Sequence, residues 1–290
     1  MNPFDVVLIQ PILNILILFY KILSQIGIPG ALGLSIILMT VTIRMALWPL
    51  TSTQLKSTQK LSALRPHLER IKKEHGQDKV RHQQEVSALY KEHGVNPMAG
   101  CLPLLLQIPV FIALYQVLLK IVNVGSGDFL ESINIQLYSP WLKLSELPGT
   151  NFLGLDLAAK PNQWAQFGFL ILLIPIATGV LQFIQSKMLS PASSASEARR
   201  ASGSHAADTK AIAKKKDDDK KESMEDTMAS MQSQMTLIMP AMIAFFSYGF
   251  PVGLSLYWNT FTVIGIIQQY KITGAGSLNK YLPKKWQKIS

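Results

Sequence analysis

Long apolar blocks alternate with polar, basic stretches along this chain, and one of the blocks is interrupted by a charge. Residues 30–53 run from Gly30 through Leu32, Leu34, Ile36, Ile37, Leu38 and Met39 to Trp48, Pro49 and Thr53, apolar and long enough to cross a bilayer as a helix. Arg44 lies inside that run. It precedes the polar end at Thr51 by seven residues, roughly 10 Å at ~1.5 Å per residue. A guanidinium at that depth costs between ~3 kcal/mol and ~10 kcal/mol or more unless it is hydrated or paired. It therefore faces the interior of a helix bundle, a partner or water, or else its long stem snorkels to the interface. The segment alone leaves both readings open.

The same pattern divides the rest of the chain. Residues 1–29 are largely apolar, but Pro11, Asn14, Lys21, Ser24 and Gln25 interrupt them and Ile28-Pro29-Gly30 separates them from the first span. Their length permits a crossing, while the interruptions favour an amphipathic helix lying in the interface. Residues 54–97 are polar and basic, with Leu61, Leu64, Leu68 and Ile71 at helical spacing. Lys73-Glu-His-Gly76 and Lys91-Glu-His-Gly94 are helix-ending signals, so this region is predicted to be a two-helix hairpin outside the membrane. Further spans are predicted at 98–120, 164–187, 235–250 and 251–271, separated by a loop over 121–163 and a linker over 188–234 rich in Ala, Ser, Lys and Asp. Pro103 and Pro109 should bend the second span. The linker reads as solvated and partly disordered, and residues 272–290 form a basic tail. The expected fold class is all-α integral membrane, with five transmembrane helices, an N-terminal interfacial helix and a cytoplasmic helical hairpin.

Composition supports that class. Only 16% of the 290 residues are charged, against 48% hydrophobic, whereas soluble domains carry roughly 25% charge. The net charge of +10 is concentrated in the 54–97 segment and the tail, a positive-inside pattern rather than a nucleic-acid patch. Five spans put the hairpin, the linker and the tail on one side, which the charge bias makes cytoplasmic, with the N-terminus outside. No basic run precedes Lys21, so a signal peptide is not expected. The single cysteine, Cys101, excludes an internal disulfide.

Nothing in the spans composes an active site: GxSxG, HExxH, GxxxxGK[ST] and GxGxxG patterns are absent. His67, His75, His82, His93 and His205 fall in the cytoplasmic segments and read as solvated helix surface. The spans carry neutral polarity instead: Ser35, Thr40 and Thr42 in the first, Gln107 and Gln116 in the second, Thr178, Gln182 and Gln185 in the third, Ser255, Asn259, Thr260, Thr262, Gln268 and Gln269 in the last. No span contains Asp or Glu. Compensation of Arg44 must then come from neutral dipoles, carbonyls or water, and Thr40 shares its face at four residues' distance. Polar residues at this depth either glue helices together or line a wet cavity. A small transporter or channel using Arg44 as a substrate or ion site is the rival class, although the internal symmetry expected of one is not visible.

Three motifs carry a resemblance. Asn96-Pro97-Met-Ala-Gly100-Cys101-Leu-Pro103-Leu-Leu-Leu-Gln107-Ile-Pro109-Val-Phe-Ile-Ala-Leu-Tyr115 resembles the second core span of the YidC insertases, bacterial relatives of the mitochondrial Oxa and chloroplast Albino proteins. Thr40-x-x-x-Arg44-x-x-x-x-Pro49-Leu-Thr51 is similar to the first core span of that family, and Phe250-Pro251-x-Gly253-Leu-x-Leu256-Tyr257-Trp258, followed by Gln268-Gln269, to the last. Together they cover about residues 30 to 271. The family's usual asparagine after the Tyr-aromatic pair is matched by Thr262, with Asn259 one turn earlier, and the large extracytoplasmic domain of some members is not expected. The resemblance implies a non-enzymatic insertase and chaperone of the bacterial plasma membrane, without cofactor or metal. It implies a hydrophilic groove open to the cytoplasm and lipid, with Arg44 as the groove arginine and Thr40 and Trp258 as client contacts. Gln107, Gln182, Asn259 and Thr262 complete the expected polar lining. The implied partners are nascent membrane protein clients and the lipid bilayer, with the ribosome, the SecYEG translocon and targeting factors as further candidates, and no specific nucleic acid.

Overall fold

A computed structural model describes residues 2–75, 78–96, 102–122, 128–189 and 224–281. Cys101, the Asn96-Pro97 junction beyond Asn96, most of the linker and the end of the tail lie outside the described residues.

A π-helical turn over Asp5–Ile9 leads into α1, Gln10–Gln25. Pro11 falls in the first turn of α1, where a missing N–H is harmless. The chain then reverses at Gly27 and Gly30, both with positive φ (75° and 71°), and Gly30 caps α2, Ala31–Ala46. Leu47 separates α2 from α3, Trp48–Ala63, and the helix axis turns by 63° there. The cause is Pro49, which offers no N–H to the carbonyl of Met45 and whose ring crowds it. The apolar run 30–53 is therefore a bent helix pair.

α4, Arg65–His75, and α5, Lys79–Glu92, pack on each other through Leu64, Leu68, Leu89 and Val95. The Asp78 side chain caps α5, accepting from the amides of Val80 and Arg81 at 3.1 Å. Gly94 (φ 59°) closes it, donating to Lys91 O while Val95 N donates to Tyr90 O at 2.9 Å, the double bond of a Schellman cap. The Lys91-Glu-His-Gly94 signal corresponds to this cap.

α6, Leu102–Val122, holds Pro109 within it. α7, Asp128–Asn134, is followed by a loop in which the Asn134 amide clamps Leu144 from both sides, at 2.9 Å and 2.8 Å. The same loop contains the only strand pair among the described residues, β1 (Asn151–Phe152) and β2 (Leu155–Asp156), antiparallel. The expected span over 164–187 is interrupted. α8, Trp164–Phe167, stops at Gly168 (φ 86°, ψ 164°), a conformation open to glycine. The long helix α9 occupies Leu173–Leu189. Trp164 stacks on Phe169 across the break, ring centroids 4.9 Å apart. α10, Met224–Gly249, carries Pro240 inside it and begins well before the apolar block at 235; α11, Val252–Thr273, follows Pro251.

The protein is an all-α membrane protein. Among the described residues Asp5–Gln25 and Phe169–Leu189 are long and apolar enough to cross a bilayer, and the bent α2–α4 run makes a third when counted as one. Gln107–Ile121 and Leu237–Gly249 are shorter apolar helices. α11 is the organising element, packed on α2, α3, α6 and α9, while α1 lies along α2 and also meets α6. Large apolar side chains on the outer faces of α9 and α10, such as Leu173, Ile176, Leu237 and Phe245, are exposed, which suits lipid rather than water.

Candidate functional site

Arg44 is the last charged residue before α2 ends, and its side chain turns inward to α11. It is only 6% exposed, so it does not snorkel. Nη1 donates to Gln268 Oε1 at 3.0 Å and Nη2 to the carbonyl of Phe261 at 2.9 Å. The guanidinium carbon lies 3.5 Å from the centroid of the Phe261 ring, a close cation–π contact. Gln268 also donates back, from Nε2 to the Arg44 carbonyl, at 3.4 Å. Neutral dipoles, a carbonyl and a ring face thus compensate the charge. A guanidinium has five N–H donors. The Nε donor is buried with no partner among the described residues.

Why α11 can receive the side chain follows from its face. Tyr257, Phe261, Gly265 and Gln268 succeed one another at helical spacing, so they form one stripe. Gly265 is the gap in that stripe. A β-carbon built there would overlap Arg44 Nη2 and Gln185 Nε2, so the glycine leaves the room that the guanidinium occupies.

Two further polar pairs flank this centre. Gln107 of α6 donates to the Tyr257 hydroxyl at 2.9 Å, and the fully buried Tyr257 ring lies against Phe261, centroids 5.8 Å apart. Gln107 thereby connects to Arg44 through two aromatic rings rather than directly. Trp258 points to α9, where Nε1 donates to Gln182 Oε1 at 3.3 Å, and its ring meets Phe111 edge-on at 5.2 Å. Thr40 is buried and donates to the Ile36 carbonyl of its own helix at 2.6 Å. Thr262 is buried too, and Asn259 carries a buried Oδ1 with no hydrogen bond among the described residues.

The predicted residues therefore sort into an arginine centre and two pairs, Gln107–Tyr257 and Trp258–Gln182. Sequence reasoning on its own did not single out Phe261, Gly265 or the specific pairing of Arg44 with Gln268. A glycine three residues before a glutamine on a helix of bulky residues was the available signal. One expectation on histidine needs correction: His82 is buried at the α5 surface rather than solvated, while His67 and His93 are exposed and set their rings 6.2 Å apart. Among the described residues no group of three His, Cys, Asp or Glu converges to hold a metal.

A family model described as "60Kd inner membrane protein" matches residues 22–278. Relatives include the proteins named membrane protein insertase YidC from Rickettsia akari, 32% identical over 88% of this chain, and from Rickettsia conorii, 33% identical over 88%. That of Nitratidesulfovibrio vulgaris is 29% identical over 91% of the chain. The chain spans only 37% to 38% of the length of these relatives.

Proposed function

The chain belongs to the 60Kd inner membrane protein family, and on that premise we propose that it is a membrane protein insertase and chaperone of the bacterial plasma membrane. It works without chemistry of its own, without nucleotide, metal or cofactor. In this reading five spans, over 30–53, 98–120, 164–187, 235–250 and 251–271, enclose a hydrophilic groove open to the cytoplasm and to lipid. The N-terminus lies outside, residues 1–29 rest at the interface, and the 54–97 hairpin and the basic tail are cytoplasmic.

One observation carries the reading. Arg44 is held inside the helix bundle by neutral groups alone, and no Asp or Glu occurs in the helices around it. A structural arginine is ordinarily neutralised, because an uncompensated buried charge is strongly destabilising. This one keeps its net charge and donors in hand. Water entering the groove from the cytoplasmic side would shorten the apolar distance that a client's polar tail must cross. The cation would attract carboxylates in that tail, at an effective dielectric below that of water. The client's apolar helix then partitions into lipid, which supplies the driving force. Thr40, Gln107, Gln182, Trp258, Asn259 and Thr262 serve as polar lining and client contacts. Nascent membrane proteins and lipid are the partners, and the hairpin and tail are the surfaces offered to the ribosome, the SecYEG translocon or targeting factors.

The test has two arms. Cysteines placed singly along residues 36–50, in a Cys101-free background, should react with water-soluble reagents from the cytoplasmic side alone. Reconstituted Arg44→Ala should fail to insert a single-span client with an acidic tail while Arg44→Lys largely succeeds. Full insertion by Arg44→Ala, or a dry seam along the helix, overturns the proposal; access from both sides in turn would point to a transporter instead.

A further inference from the structure

We propose that Gly265 and Gln268 are positioning residues that form a seat for the Arg44 guanidinium, fixing where its charge stands for an acidic client tail. The inference rests on the insertase reading above and deepens it by naming what sets the position of the cation.

The geometry has three parts. Gln268 grips Arg44 at both ends, accepting from Nη1 at 3.0 Å and donating to the backbone carbonyl at 3.4 Å. The carbonyl of Phe261 takes Nη2 at 2.9 Å, and the ring of the same residue supports the guanidinium plane at 3.5 Å. Gly265 lies between them in the chain and supplies the space. A β-carbon there would overlap Arg44 Nη2 and Gln185 Nε2 and come within 3.2 Å of Arg44 Cζ. Any side chain at 265 therefore displaces the two nitrogens from their present places.

What such a residue displaces decides whether the glycine is a positioning residue or a structural one. At Gly33 an added β-carbon would strike the ring of Phe152, and at Gly276 the backbone of Met188; neither can give way without moving a loop or a chain segment. At Gly265 the first obstacles are the free ends of two long, flexible side chains. Alanine is also the better helix former by roughly 1 kcal/mol. The helix should accept it, and the loss should fall on the placement of the guanidinium. The seat is also chemically selective. An acid in place of Gln268 would pair with Arg44 and cancel the charge, whereas an amide offers one acceptor and one donor and leaves the cation intact.

The full chain in proteoliposomes serves for the test. Insertion is measured for a single-span client with an acidic tail and for the same client with amides in place of the acids. Alongside it, an arginine-selective dicarbonyl reagent labels the protein, and the rate at Arg44 is read by peptide mass spectrometry. Gly265→Ala should label faster at Arg44 and insert the acidic client roughly tenfold less well, the worth of one charge-assisted hydrogen bond, with a smaller change for the amide client. In an Arg44→Lys background, which has no guanidinium fork to displace, Gly265→Ala should add no further loss. Gln268→Ala, which removes the acceptor of Nη1 without adding bulk, should also raise Arg44 labelling. Unchanged labelling in both variants, or an equal loss from Gly265→Ala in the arginine and lysine backgrounds, overturns the seat. Full activity of Arg44→Ala would instead sink the insertase reading, leaving the labelling result to decide the seat separately.

Discussion

Gln268 and Arg44, 224 residues apart in the chain, hold each other by two hydrogen bonds of opposite direction: guanidinium to amide oxygen at 3.0 Å, and amide nitrogen to Arg44 carbonyl at 3.4 Å. The pair joins the C-terminal part of α2 to α11, and Gln268 is buried, as Arg44 is. Gln268→Leu keeps the volume and removes both bonds, stranding a charged donor. We expect a loss of about 1–3 kcal/mol, the desolvation cost of a buried polar group left without its partner. A lower midpoint in detergent thermal unfolding reads it. A variant as stable as the parent would mean that the guanidinium finds another acceptor at no cost.

The same helix meets the loop that carries β1 and β2 through a different absence. Phe152 lies over Gly30 and Gly33 of α2, and a β-carbon at Gly33 would fall within its ring. Gly33→Ala should undock the β1–β2 turn and lower stability by about 1–3 kcal/mol, the usual size of an overpacking penalty. Phe152→Ala removes the obstacle along with the contact. In that background Gly33→Ala should be close to neutral, because the two sites share one clash. Additive melting shifts in the double variant would show that the glycine matters for another reason.

The all-α membrane class, and the presence of one charge inside an apolar block, were legible in the sequence. The absence of Asp and Glu from the apolar blocks required neutral compensation for Arg44, and Lys91-Glu-His-Gly94 marked a helix end that is capped as such. The choice of partner was not legible. Asn259 and Thr262 were more conspicuous than Gln268, but which residues of α11 face α2 depends on helix rotation, and that is set by packing of Tyr257, Phe261 and the gap at Gly265. Hydropathy also could not register backbone breaks inside apolar runs. Pro49 bends the first block at Leu47 and Gly168 divides the third, although the residues on both sides of each break remain largely apolar.

Asn14 is one of the five residues whose interruption of the apolar run favoured an interfacial N-terminal helix, and in the fold it acts as a clamp. Its Oδ1 accepts from Tyr138 N at 2.7 Å, and Nδ2 donates to Gln136 O at 3.0 Å and Gln10 O at 2.8 Å. The amide therefore takes the place of a strand partner for the loop after α7. Asn14→Leu should leave that backbone unsatisfied against α1, at about 1–3 kcal/mol per stranded group. Hydrogen exchange of the Tyr138 amide should accelerate while that of α9 stays unchanged. Protection that survives the substitution would assign the docking of the loop to its apolar contacts alone.

Trp258 combines a hydrogen bond to Gln182 with an edge-on contact to Phe111, and the two can be separated. Trp258→Phe removes the indole N–H but retains an aromatic ring for Phe111. A neutral hydrogen bond contributes about 0.5–1.5 kcal/mol net, and the 3.3 Å length places this one at the weak end. Trp258→Ala forfeits the ring as well, and truncation of a large aromatic costs about 3–5 kcal/mol where it is fully buried; Trp258 is only partly so, which puts the expectation below that range. We therefore expect a small drop in melting temperature for phenylalanine and a several-fold larger one for alanine. If Trp258 is a client contact as proposed, insertion should follow the ring rather than the N–H, since a contact for varied apolar segments must tolerate their differences. If phenylalanine were as damaging to insertion as alanine at unchanged stability, the indole N–H itself would be the functional group, and Gln182→Leu should then reproduce the defect.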